Sequence, residues 1–134
     1  MISQEKEQSE DLKLDSKKAR YTSDELTSAI VEGAKDKKGE DILLLKVAEV
    51  SYLADFFVII TGFSRTQVRA IYNSIEEKVE EKYSVSPLRI EGKSEGTWIL
   101  MDYGDVIVHI MLPEEREYYN IEAFWGHAEQ IAVS

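Results

Sequence analysis

From Thr22 onward the apolar residues Leu26, Ala29, Ile30, Gly33 and Ala34 recur at three- and four-residue intervals, the period of a helix with one buried face. Thr22 followed three positions later by Glu25 forms a capping box at its start. Lys35, Lys37 and Lys38 suit the negative end of the helix dipole, and Gly39 is expected to stop the segment. The period then shortens. Residues 42–47 and 56–61 are compact aliphatic and aromatic runs that predict two buried strands, the second closed by Gly62. Ser64 with Gln67 opens a second helix, in which Val68, Ile71, Tyr72, Ile75 and Val79 form the apolar stripe. Its acids Glu76, Glu77, Glu80 and Glu81 are left for solvent. Pro87 separates this helix from a short strand at 88–90.

Residues 97–101 and 106–111 are two β-rich runs around Asp102-Tyr103-Gly104-Asp105, which predicts a hairpin. With Tyr103 and Gly104 as the central turn residues, Trp98 opposes His109 and Leu100 opposes Ile107. Alternation then puts Ile99, Met101, Val106, Val108 and Ile110 on one face, a set suited to a core. The other face carries Trp98, Leu100, Asp102, Asp105, Ile107, His109 and Met111. A large aromatic, an imidazole and carboxylates together suit a boundary or a contact surface. The structural alternative is that a C-terminal helix covers this face and Trp98 is merely core. After Pro113, residues 114–119 and 121–125 predict two short helical turns, with Asn120 capping the second. Tyr118, Ile121 and Trp125 share a stripe against the sheet, and Tyr119 points elsewhere. The expected fold is α/β: a mixed five-stranded sheet flanked by helices.

Charge narrows the function. The chain of 134 residues carries 26 acids against 16 bases, a formal charge of −10. Residues 1–20 are balanced and hold only Ile2, Leu12 and Leu14 as large aliphatics, which predicts a disordered leader before a domain at 21–134. The whole excess therefore lies in the domain. It disfavours phosphate backbones, so no direct DNA and little direct RNA contact are expected, although a local basic patch can escape the average. A basic protein partner is favoured. The absence of cysteine removes disulfides, thiol catalysis and cysteine-ligated zinc. The longest apolar runs are too short to cross a bilayer and the first residues too polar for a signal peptide, so no membrane role is expected.

Candidate chemistry is sparse. Gly62-Phe63-Ser64 runs from strand to helix, where anions can bind, but one glycine and one serine are a weak signal and a simple helix cap is the favoured reading. Nucleotidyl transfer requires paired carboxylates on a strand beside such a turn. Asp102 and Asp105 flank a tight turn instead, and Asp55 suits ordering of the loop before the second strand. Ser64, His109 and an aspartate lack any nucleophile-elbow pattern. No cofactor or metal is expected, and the chain is expected not to be an enzyme.

Several segments together resemble the ribosomal silencing factor family, also called Iojap. They are Asp55-Phe56-Phe57-Val58-Ile59 leading to Thr61-Gly62-x-Ser64, then Gln67-Val68, Glu91-Gly92, and Gly96-x-Trp98-x-Leu100-x-Asp102-Tyr103-Gly104-Asp105 with His109. Arg116-x-x-Tyr119-x-x-Glu122-x-x-Trp125 completes the set. The resemblance spans residues 22–128 and departs at Phe56, Ile121 and Gly126-His127. It implies a nucleotidyltransferase-like fold without catalytic metal ligands. It also implies a translational repressor that binds ribosomal protein L-fourteen on the large ribosomal subunit and blocks joining of the small one. The family's contact residues carry over to Trp98, His109 and Tyr119, and the hairpin face adds Leu100, Asp102 and Met111. The implied location is the bacterial cytoplasm or an organelle of bacterial descent. Two alternatives stand beside it, an acidic interaction module or homodimer contacting through the hairpin face, and a nucleotidyltransferase.

Overall fold

The computed structural model describes residues 21–48 and 54–133. Its elements in chain order are α1 (Ser23–Asp36), β1 (Glu40–Lys46), β2 (Phe56–Thr61), α2 (Arg65–Tyr83), β3 (Arg89–Glu91), β4 (Trp98–Asp102), β5 (Val106–Met111), α3 (Pro113–Tyr119), α4 (Ile121–Phe124) and β6 (Glu129–Val133). The six strands form one mixed sheet in the order β3-β4-β5-β2-β1-β6. The β2–β5 pair is parallel and the other four are antiparallel. The α/β expectation holds, with six strands in place of five. The leader expected at 1–20 lies outside the described residues.

β2 sits centrally and is buried at all six positions, as a run of Phe, Phe, Val, Ile, Ile and Thr requires. Side chains of alternate parity leave it on opposite faces. Val58 and Ile60 join Ile99, Met101, Val106, Val108 and Ile110 under the buried stripes of α1 and α2. The helices pack closely because Gly33 lacks a side chain: a Cβ there would stand 2.9 Å from Ile75 Cα. Ser74 Oγ locks the pair by donating to the Gly33 carbonyl at 2.7 Å. Thr22 and Glu25 form the expected reciprocal cap on α1. Asp55 reaches the same helix start, accepting from Ser23 Oγ at 2.5 Å. It therefore ties β2 to α1.

Four expectations need correction. The chain leaves α1 through Lys38 at φ 60°, and Gly39 serves a close approach instead, its missing Cβ clearing Ile60 Cγ2. The hairpin register is shifted by two residues. Tyr103 N–H donates to the Val106 carbonyl at 2.9 Å, so Gly104 (φ 91°) and Asp105 are the central turn residues. Trp98 therefore pairs with Met111 and Leu100 with His109. An even shift preserves which side chains share a face, so the sorting of the two faces stands while the pairing does not. Asn120 lies at φ 44° and offers no side-chain cap to α4; it ends α3 in the left-handed region. Finally, β6 extends the sheet beside β1.

Candidate functional site

The second face of the sheet is built differently. Leu45, Val47, Phe57, Ile59, Met111 and Ala128 form its buried floor, with Trp98, Ile107, Ile121 and Trp125 packed against it at partial exposure. Its cover is α3 and α4, which contain no buried residue. Seven rings run across it. Tyr118 meets Tyr119 at 5.0 Å, Tyr119 meets Trp98 at 4.8 Å and Trp98 meets His109 at 5.8 Å between centroids. Beyond His109 the chain continues to Phe57 at 5.4 Å, Trp125 at 5.1 Å and Phe124 at 5.6 Å. Tyr118 and Phe124, the outer ends, are 82% and 81% exposed.

Trp98 and His109 are diagonal neighbours across β4 and β5. Trp98 Nε1 donates to His109 Nδ1 at 3.1 Å, which assigns the remaining ring proton to Nε2 of a neutral imidazole. His109 is only 6% exposed, and burial pushes its pKa down from 6.5 to about 4. Its hydrogen-bond partner is an indole and not a carboxylate, so nothing in this pair prepares the imidazole as a general base. It fixes the tilt of the Trp98 ring.

Tyr119 reaches Trp98 because α3 is pinned. Arg116 donates to Thr61 Oγ1 at 2.7 Å, to the Asp41 carbonyl, and to Glu122 Oε1 at 3.0 Å. One arginine thus ties α3 to the ends of β1 and β2 and to α4. Tyr119, 52% exposed, lies on Trp98 as a result. A groove of about 360 Å³ opens there, lined by Trp98, Leu100 and Tyr119 with Glu91, Glu95 and Glu115. An apolar floor with three carboxylates can take the aliphatic stem and cationic head of a lysine or arginine.

Of the six residues expected at the site, Trp98, Leu100, His109 and Tyr119 come together. Asp102 stands at the far end of β4, where Oδ1 accepts from the Gly104 amide at 2.8 Å and Oδ2 lies 3.7 Å from Arg89. Met111 shares the outward parity but is fully buried, sealed in the floor with Trp98 packed against its cluster. It cannot offer area to a partner, because α3 starts immediately after it and closes the strand end. Tyr118, expected on the inward stripe with Ile121 and Trp125, turns to solvent. The sequence reading missed Glu91, Glu95 and Glu115 as the rim and Phe57 as the ring linking His109 to Trp125. Phe57 was accessible from parity, since it alternates with Phe56 and Val58 in β2. Among the described residues no group of three histidine, aspartate or glutamate side chains could hold a metal ion.

Comparison with known proteins agrees with the resemblance noted above. The sequence profile described as "Ribosomal silencing factor during starvation" matches residues 20–134. The chain is 41% identical over 102 residues to ribosomal silencing factor RsfS of Chromobacterium violaceum, covering 76% of this chain and 83% of that protein. It is 43% identical over 93 residues to the RsfS of Bacillus subtilis, covering 69% and 78%. An X-ray structure of a Chromobacterium violaceum protein superposes with a TM-score of 0.76 at 40% identity, covering 79% of this chain and 88% of that one.

Proposed function

Because the chain belongs to the ribosomal silencing factor family, we propose that it represses translation by binding the large ribosomal subunit through ribosomal protein L-fourteen and sterically excluding the small subunit. The observation that carries this reading is the solvent-open groove between Trp98 and Tyr119, rimmed by Glu91, Glu95 and Glu115. A groove of that chemistry suits a basic protein surface, and a chain of charge −10 is steered toward one. Trp98, Leu100 and Tyr119 make the contact. His109 acts beneath them by orienting the indole. Asp102 and Met111 act more remotely, one holding the turn and the other the floor. Neither Trp98 nor Tyr119 needs to do chemistry: the bound fraction alone determines how many large subunits are unavailable. The protein works wherever bacterial-type ribosomes do, in a bacterial cytoplasm or an organelle of bacterial descent. No helix among the described residues is long and apolar enough to cross a membrane.

Sucrose-gradient sedimentation with purified subunits tests the reading. The protein is expected to travel with large subunits and to reduce joining, and Trp98→Ala is expected to lose both while keeping its circular dichroism spectrum. Protein left at the top of the gradient with joining unchanged removes the proposal.

A further inference from the structure

Ten of the lysines and arginines among the described residues fall into two classes. Lys46, Lys78, Lys82, Arg89 and Arg116 each lie within 4.0 Å of a carboxylate oxygen. Lys37, Lys38, Arg65, Arg69 and Lys93 have no carboxylate partner among the described residues. These five all surround one place, the first turns of α2. Gln67 in that turn donates Nε2 to the carbonyls of Lys37 and Lys38 at 3.1 and 3.0 Å, bringing their loop against it. On the opposite flank Arg69 donates to the carbonyls of Lys93 and Ser94 at 3.1 and 2.7 Å. Arg65 is the first residue of the helix, and beside it Phe63 is 56% exposed.

The charge on α2 runs against the usual preference. Acids are favoured near a helix N-terminus, yet the first turn has none and no acid occurs from residue 61 to 75. Glu76, Glu77, Glu80 and Glu81 follow in the second half. Such an arrangement adds to the helix dipole in place of offsetting it, so the α2 tip is held electropositive at some expense in stability. Of the acids around it, Asp36 is paired with Lys78 at 3.1 Å and Glu95 lines the aromatic groove, which leaves Glu40 as the exposed carboxylate beside Lys38.

We propose that the α2 tip, with Lys37, Lys38, Arg65, Arg69 and Lys93, is a second contact surface that takes the phosphate backbone of ribosomal RNA beside the docked protein. The inference rests on the ribosomal reading above. The loop of Lys93 and Ser94 joins the tip to the groove, since Gly92 and Glu95 of that loop line it. A partner seated on Trp98 therefore places whatever flanks it against these cations, and on a ribosome a protein surface is bordered by RNA. Five cations without a carboxylate partner among the described residues suit contact with several phosphates and carry no sequence preference. Thus the average charge makes binding of free RNA weak and confined to low salt, while docking through the groove presents RNA to the tip at high local concentration.

The test compares the full chain with a Lys37→Gln/Lys38→Gln/Arg65→Gln variant, none of which holds the fold by its side chain. Affinity for purified large subunits is measured at about 50 and about 200 mM salt, where each lost phosphate contact lowers the log–log slope by roughly 0.9. The wild type is expected to lose roughly 40-fold more affinity than the variant across that range. In a second arm, retention of a short RNA duplex at low salt should be stronger for the wild type than for the variant. Equal salt slopes with equal duplex binding overturn the proposal while leaving Trp98-dependent docking intact. Equal charge-dependent retention of polyglutamate also overturns it, because the tip would then be a general anion surface. If the wild type binds no large subunits, the ribosomal reading fails and the proposed RNA surface falls with it.

Discussion

The two faces of the sheet use the same strands for opposite ends. On the helix-covered face, alternate residues of β2, β4 and β5 are aliphatic apart from Phe56 and meet two long amphipathic helices of 14 and 19 residues. On the other face the strands present Phe57, Trp98 and His109, and the cover is two short helices with no buried residue. Aliphatic side chains fill volume without directional demands, so the first face concentrates stability. Aromatic side chains carry polar edges, and those of Trp98 and His109 partner each other, so the rings of the second face are held at a fixed tilt while Trp98 and Tyr119 stay partly open to an incoming surface. Stability and recognition are thereby separated by a single peptide's pleat.

That separation predicts a graded set of outcomes. The largest effect belongs to Gly92→Ala. Gly92 has φ 88°, and a Cβ there would lie 2.0 Å from the Trp98 carbonyl oxygen, so the β3–β4 loop must rebuild and carry Trp98 with it. Both thermal stability and subunit binding should collapse. Ile75→Ala removes a fully buried residue of the helix-covered face and should cost about 2–5 kcal/mol in denaturant unfolding, with unchanged affinity per folded molecule. Affinity that fell in parallel would mean that the two faces are coupled.

The third outcome concerns pH. In the unfolded chain His109 takes its proton near 6.5, and in the folded protein only near 4. Its contribution to stability is therefore complete above pH 6.5 and is lost as pH falls toward 4, by about 3 kcal/mol in all. Protonation also turns Nδ1 into a donor facing the Trp98 donor. Urea unfolding at several pH values should show this loss, and His109→Gln should remove that part of it. The smallest effect on folding is expected for Tyr119→Ala, within about 0.5 kcal/mol of wild type, because more than half of the side chain is exposed.

The elements of the helix-covered face were legible in the sequence because single periods dominate them. Thr22 and Glu25, the stripe from Val68 to Val79, and the β2 run each satisfy one rule without a competitor. The hairpin was legible in parity and not in register. Both Tyr103-Gly104 and Gly104-Asp105 place a glycine at the turn; the second register is the one in which Asp102 accepts the Gly104 amide, a local contact that residue types alone do not single out. β6 escaped notice because an edge strand buries little: Ile131 and Val133 alternate with Gln130 and Ala132 too weakly to distinguish it from a tail. At the candidate site Trp98, His109 and Tyr119 were found by residue type and resemblance. The acidic rim was not, since Glu91, Glu95 and Glu115 come from separate segments that only folding assembles. Met111 shows the limit of parity, which says which way a side chain points and not what lies above it.

The central claim is that the Trp98–Tyr119 surface binds a partner and does not merely complete the core. The most direct measurement is the affinity of Tyr119→Ala for purified large ribosomal subunits, alongside its thermal midpoint. An affinity lowered at least about tenfold at an unchanged midpoint is the predicted result, as for an exposed aromatic anchor. An unchanged affinity, or a loss that merely follows a fallen midpoint, would contradict it.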